Sequence, residues 1–497
     1  MTSQTLTALF AERWPADPAA TVFLDLPGGP AITYADAEVG AARLANALTT
    51  LGVRPGDRVA VQAEKSPAVL LLYLACVRAG AVLLPMNPAY TDDEVGYLVA
   101  DAEPRLLVQD PASAPRTDVA GVVTLDDHGG GSLTALAAEQ SDHHDPVPTA
   151  PDDLAAILYT SGTTGRPKGA MLTQRNLASN ALALHRIWGF RPDDVVLHAL
   201  PVFHTHGLFV ATNCALANGT SMIFLPRFEP AAVLEHLPRA TVFMGVPTFY
   251  TRLLAEPGLD VDRCRHVRLF VSGSAPLLAT THDEFRLRTG HRILERYGMT
   301  ETSMITSNPL DGDRRPGTVG FPLPEVKVRV TSPETGAEVA AGEVGDIEVH
   351  GPNVFAGYWR QPERSAAEMT ADGFFRTGDV GMVDDDGYLH LVGRSKDLII
   401  SGGLNVYPKE VEAVLDELDG IVESAVIGVP DPDFGEAVVA VVVAAPNVEL
   451  DAAVLRQQVR ARLAAFKVPK RIVVVADLPR NAMGKVEKAK LRAAHGA

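Results

Sequence analysis

Apolar residues run along this chain in two alternating patterns. A helical period covers Ala35 to Leu51, and another helical stretch starts at about Gln174. Between such stretches lie short, continuous apolar runs: Arg58–Gln62, Ala81–Met86, Leu154–Tyr159, Ser221–Leu225, Ala240–Met244 and Val267–Val271. Continuous runs flanked by helices predict parallel strands buried on both faces. The fold class expected is therefore α/β, with a large N-terminal domain built from parallel-sheet α/β subdomains.

The last hundred residues carry a smaller pattern of their own. A helix is predicted over Tyr407–Leu418, then strands at Ser424–Val429 and Ala437–Ala444, a helix at Leu455–Ala465 and a strand at Arg471–Val475. Before them, Asp384–Tyr388 (DDDGY) reads as a turn between two strand-like runs. The expected division is a domain over 1–391, a hinge at 392–397 (VGRSKD) and a small mobile α+β domain over 398–497. The segment Asp110–Thr149, rich in Asp, His, Gly, Ala and Pro, reads as a variable connection at a subdomain edge. The apolar stretch Ala68–Met86 is broken by Arg78 and Gly80, so it predicts a core helix followed by a core strand rather than a membrane span.

Composition narrows the function. At 497 residues and 46% hydrophobic content the chain can fill more than one core. A net charge of −17 disfavours nonspecific nucleic-acid binding, which needs a basic face. It suits a cytoplasmic enzyme. The first residues, MTSQTL, lack a basic region followed by an apolar one, so no signal peptide is expected. Cys76, Cys214 and Cys264 are few, scattered and without metal-ligand spacing, and they read as reduced core thiols.

The richest chemistry lies at Thr160–Gly169 (TSGTTGRPKG), directly after an apolar strand. Glycines let the backbone turn its N–H groups inward around phosphate oxygens, and the hydroxyls and Lys168 add donors and charge. It is not the nucleotide-hydrolase P-loop, because Gly162 and Gly165 are too close together and Lys168 precedes a glycine. Five further segments follow in order: GSAP at 273–276, YGMTE at 297–301, FRTGD at 375–379, GRSKD at 393–397 and PRNAMGK at 479–485.

This ordered set resembles the adenylate-forming superfamily of acyl-CoA synthetases, luciferases and peptide-synthetase adenylation domains, from about residue 20 to residue 490. The resemblance implies two half-reactions. A carboxylate attacks the α-phosphate of ATP to give an acyl-adenylate and pyrophosphate; a thiol, here that of coenzyme A, then displaces AMP. Residue by residue it implies that Thr160, Ser161, Gly162, Thr163, Thr164, Gly165 and Lys168 hold the pyrophosphate end of ATP. Glu301, with Thr164, would hold Mg²⁺, which takes few carboxylates alongside phosphate oxygens. Thr300 would sit beside the α-phosphate. Gly273, Ser274, Ala275 and Pro276, together with Glu295, Arg296, Tyr297, Gly298 and Met299, would flank the nucleotide.

By the same resemblance Asp379 would accept both ribose hydroxyls, and Arg394 would reach the same sugar. Lys485 would bridge the attacking carboxylate and the α-phosphate; the resemblance also leaves it open to regulation by acylation, which removes its charge. Lys396 takes the hinge position, about which the small domain rotates between half-reactions. Gly402 and Gly403 would leave room for the pantetheine chain of coenzyme A.

The acid is harder to read. Gly298 replaces the bulky residue that closes the pocket of acetate-specific relatives. The segment Phe203–Gly207 (FHTHG) lacks the Asp that amino-acid-activating relatives place after the Phe. Arg252 and Arg296 stand where an apolar fatty-acid tunnel would be expected. On chemistry alone they fit equally a second substrate carboxylate or structural roles, Arg252 on a surface helix and Arg296 paired with Glu295 or Glu301. The surrounding segments are very similar to bacterial malonyl-CoA synthetases, and this implies that Arg252, Arg296 and His206 line the site for a free carboxylate, with Ser274 and Met304 shaping the wall. Malonate, and methylmalonate after it, are the acids expected. The alternatives are a synthetase for short or medium monocarboxylic acids and a non-catalytic nucleotide-binding relative.

Overall fold

The computed structural model describes residues 4–496 except 114, 115, 117, 161–166, 402, 403, 432, 433, 482 and 483. The calls on Ser161, Gly162, Thr163, Thr164 and Gly165, and on Gly402 and Gly403, lie outside the described residues, as does the side chain of Lys396. The fold is α/β, with a large N-terminal region and a small C-terminal domain.

Two sheets carry the large region. In the first, strands run in the order Val122–Thr124, Leu106–Gln109, Arg58–Gln62, Val82–Pro85, Leu154–Thr160 and Lys168–Thr173, all parallel except the last pair. In the second, six parallel strands include Val195–His198, Ser221–Phe224, Val242–Gly245, Leu269–Ser272 and Leu294–Met299, and antiparallel strands close both edges. Their inward faces share one continuous core that includes Leu158, Leu172, Val196 and Leu294. The expected strands thus form, within a residue or two of each boundary. Cys76, Cys214 and Cys264 are buried free thiols.

Two elements depart from the sequence reading. The run after the glycine-rich segment is itself a strand, Lys168–Thr173, paired back onto Leu154–Thr160 with Thr160 opposite Lys168. Thr160 and Lys168, on either side of residues 161–166, are thus cross-strand partners. A four-stranded antiparallel sheet, Lys327–Thr331, Gly345–His350, Phe375–Val383 and Leu389–Arg394, stands beside the two parallel-strand sheets and carries Asp379 and Arg394. Its strands mix buried with half-buried or exposed residues, a weaker apolar signal than a continuous run. The DDDGY turn does join its last two strands.

The small domain has one sheet with a core on each face. Helices Pro408–Asp416 and Ala452–Arg460 cover one side through Val411, Leu415, Leu455 and Val459; Leu478 and Leu491 cover the other. Between the domains, residues 395–397 form a single helical turn. Ser395 Oγ donates to Asp346 of the large region at 2.8 Å, and Arg492 of the small domain pairs with Asp397 at 2.7 Å. Lys396 thus lies between one anchor on each side. Among the described residues no helix is long and apolar enough to cross a membrane.

Candidate active site

Parallel strands point their carboxyl ends toward a common crevice, and loops there carry the polar residues. Strand Lys168–Thr173 ends in Thr173, which caps helix Gln174–Ile187 in a reciprocal box with Asn176. Asn176 Nδ2 also donates to the carbonyls of Pro352 and Val354, each at 2.8 Å, and Trp359 N donates to Gly169 O at 2.7 Å. These bonds hold Tyr358 beside the hairpin. Lys168 Nζ lies 4.0 Å from the Tyr358 ring centroid and 4.0 Å from Glu368 Oε1. The Tyr358 hydroxyl donates to Glu301 Oε1 at 3.0 Å. Glu301 is buried, and among the described residues it makes no ion pair. A buried carboxylate held by one hydroxyl, with lone pairs to spare, fits a divalent cation.

The nucleoside side is assembled from two sheets. Asp379 is buried, and its two oxygens face Tyr297 Oη at 2.5 Å and Arg394 Nε at 2.8 Å. The structure thus brings Tyr297, Asp379 and Arg394 together. Each carboxylate oxygen can accept more than one donor, so sugar hydroxyls can join this arrangement. Thr300 stands in the turn between strands Leu294–Met299 and Ser303–Ser307. Gly298 faces Met304 across that hairpin, and a Cβ at 298 would lie 2.0 Å from Ser303 O and 2.8 Å from Met304 Cε. A larger residue there would displace the Met304 wall.

The most unusual feature is a buried basic cluster. Arg296 is 4% exposed, and its Nε and Nη2 have no hydrogen-bond partner. Among the described residues no carboxylate pairs with it; Glu295 instead accepts from Gly317 N at 3.2 Å, and burial raises its carboxyl to about 8. The pairing with Glu295 or Glu301 that chemistry left open is therefore not made. Burial pulls the Arg296 guanidinium down to about 9. The guanidinium lies flat against Gly273, where a Cβ would come within 2.3 Å of its carbon.

His206 opens a π-helical turn, His206–Thr212, and is buried with Nε2 unpartnered. Its Nδ1 is 3.4 Å from Ser274 Oγ, on a residue with φ of +73°. Burial, and then the neighbouring Arg296, His204 and His198, hold this imidazole well below its usual range. His204, for the same first reason, falls to about 4.

Arg252 is the exception. It is exposed on helix Pro247–Leu254 and is not part of the cluster. It lies one turn after Thr248, hence on the same helix face. Thr248 meets the small domain: a Cβ at Gly484 would be 3.2 Å from its Oγ1. Arg252 thus stands at the boundary with the small domain, outside the buried cluster. Gly484, with φ of +74°, turns the loop that presents Lys485, and Asn481 Oδ1 accepts from Lys485 N at 3.0 Å. Lys485 is exposed.

Comparison with known proteins fits this geometry. The AMP-binding enzyme family model matches residues 9–359, and the AMP-binding enzyme C-terminal domain matches 410–485. The chain belongs to the AMP-binding, adenylate-forming enzyme family. It is 39% identical to a feruloyl-CoA synthase of Amycolatopsis sp, over 94% of this chain and 95% of that protein. It is 36% identical to the mitochondrial malonate–CoA ligase of Mus musculus, over 88% of this chain and 82% of that one. The crystal structure of ATP-bound MatB from Rhodopseudomonas palustris is 54% identical, covers 99% of each chain and superposes with a TM-score of 0.96. Apo MatB, at the same identity and coverage, gives 0.86. The chain is an acyl-CoA ligase of this family, whose members use ATP and coenzyme A.

Two contributors escaped the sequence reading. Tyr358 bridges Lys168 and Glu301, but only the fold brings residue 358 to that hairpin. The π-helical turn at His206 depends on packing that no local pattern encodes.

Proposed function

We propose that this enzyme ligates malonate to coenzyme A with ATP, through a malonyl-adenylate. The observation that carries this reading is the unpartnered, buried Arg296 beside the unpartnered Nε2 of His206. Burying a guanidinium with no anion costs several kcal/mol, about 3–5 when a pair is broken. A pocket that holds one is built for an anionic group arriving with the substrate, and a guanidinium matches a carboxylate with two parallel hydrogen bonds. Malonate supplies that group one carbon away from the carboxylate that reacts. The malonate–CoA ligase among the relatives supports the same reading.

In this reading Arg296 and the Nε2–H of neutral His206 bind the free carboxylate and leave the other facing the α-phosphate. Ser274 holds the His206 ring through Nδ1, and Met304 with Gly298 sets the room left at the middle carbon, enough for the methyl of methylmalonate. Arg252, at the rim, adds a cation on the approach path. Lys485 bridges the reacting carboxylate and the α-phosphate. Lys168 and the hairpin loop hold the departing pyrophosphate, and Thr300 stands at the α-phosphate. Glu301, with Thr164, would hold Mg²⁺, which neutralises phosphate charge. Asp379 and Arg394 fix the ribose. After adenylation, rotation about Lys396 would withdraw Lys485 and bring Gly402 and Gly403 in to line the pantetheine channel.

The test is a kinetic comparison of Arg296→Ala and Arg252→Ala. Removing Arg296 should raise the malonate KM roughly 100-fold or more, since it leaves a carboxylate buried without its partner. Removing the exposed Arg252 should cost about tenfold or less, and neither change should move the ATP KM comparably. Malonate turnover unaffected by Arg296→Ala would reject the dicarboxylate pocket and favour a monocarboxylate substrate.

A further inference from the structure

Lys65 belongs to none of the roles above, yet it is among the few buried lysines of the described residues, 8% exposed. It stands at the carboxyl end of the parallel strand Arg58–Gln62, just before helix Pro67–Ala79. Its Nζ is 2.8 Å from His198 O, 3.0 Å from His198 Nδ1 and 4.2 Å from the Phe224 ring centroid. Among the described residues no carboxylate pairs with it. Its N–H groups thus face two acceptors and one aromatic face.

His198 is the last residue of strand Val195–His198 in the other parallel-strand sheet, so the bond crosses from one sheet to the other beneath the crevice. A lysine donating to Nδ1 fixes the neutral ring with its proton on Nε2. That nitrogen lies 3.0 Å from Gly207 O, which Thr212 Oγ1 also reaches at 3.0 Å. Gly207 directly follows His206 in the π-helical turn, a type of turn that recurs at functional sites. It has no freedom to drift, because a Cβ there would lie 2.0 Å from Pro201 O. The chain of contacts therefore runs from Lys65 through His198 to the Gly207 carbonyl, and so to the backbone that carries His206.

We infer that Lys65 is a positioning residue for the far carboxylate of the acid: by fixing the His198 tautomer it anchors the turn that aims His206 Nε2 into the pocket. This rests on the dicarboxylate reading. It also predicts which substrate will feel the residue. An acid with no second carboxylate does not use His206, so its binding should be indifferent to Lys65.

The test uses the full enzyme and steady-state kinetics with malonate, a monocarboxylate such as butyrate, and ATP, on Lys65→Met, His198→Gln and the double variant. Lys65→Met should raise the malonate KM about tenfold, the scale of one hydrogen bond to a charged group. The kcat, the butyrate KM and the ATP KM should stay within about threefold. The amide of His198→Gln can still donate to Gly207 O without Lys65, so adding Lys65→Met to it should cost little more. Should Lys65→Met fail to fold, His198→Gln against His198→Leu gives the same reading: Gln should keep a malonate KM that Leu loses. An unchanged malonate KM, equal losses for malonate, butyrate and ATP, or fully additive variants would overturn the role of Lys65 while leaving malonate as the substrate. A wild-type enzyme that prefers butyrate would instead overturn the dicarboxylate reading, and this inference with it.

Discussion

Arg296 shows how a single side chain can depend on the absence of another. Its guanidinium occupies the space a Cβ at Gly273 would fill. Gly273→Ala should therefore push Arg296 out of place and raise the malonate KM, at a folding cost of about 1–3 kcal/mol from overpacking; a melting curve and a malonate titration check both. Charge gives a second prediction. Arg296 binds a carboxylate only as a cation, and burial lowers its ordinary pKa to about 9. kcat/KM for malonate should fall as pH rises through about 9, while kcat/KM for a monocarboxylate should not follow the same titration. A malonate profile flat to well above that pH would contradict the assignment. The sequence made Arg296 and His206 visible through their motifs. It could not show that Arg296 is unpaired, because pairing depends on Glu295 pointing the other way along the same strand. Arg252 was equally visible but differs in fate: its place one turn beyond Thr248 puts it on the exposed face at the domain boundary.

Elements were legible where burial is two-sided. Continuous apolar runs such as Ala240–Met244 have no other stable use, and they became central parallel strands. Of the antiparallel sheet from Lys327 to Arg394 only the turn between the last two strands was legible, because partly exposed strands leave a faint signal; the shared setting of Asp379 and Arg394 came from the family resemblance. The hairpin strand Lys168–Thr173 was missed for a related reason, since its Lys-Gly start reads as loop. The π-helical turn is held by close contacts around Gly207 that no periodic pattern signals. Gly207 fits under Pro201 O, and Thr212 reaches back to its carbonyl. Gly207→Ala should therefore lower the melting temperature and reduce malonate use together. An unperturbed melting curve would show that the turn is not held in this way.

At the scale of the whole molecule, the proposed reaction draws on both domains. The small domain meets the large region where Gly484, next to Lys485, approaches Thr248. Lys485→Ala should cripple adenylate formation while leaving thioester formation from preformed malonyl-AMP, measured as separate half-reactions; equal loss in both would contradict its role. The proposed hinge residue Lys396 lies between Ser395, which bonds to Asp346 of the large region, and Asp397, which pairs with Arg492 of the small domain. The central claim, that a buried basic cluster selects a dicarboxylate, is tested most directly by pyrophosphate release with ATP, Mg²⁺ and CoA across malonate, methylmalonate, succinate, acetate, butyrate and a long fatty acid. The account predicts a strong preference for malonate, with methylmalonate next. Preference for a monocarboxylate would contradict it, and would make Arg296 and His206 parts of the scaffold rather than of the acid site.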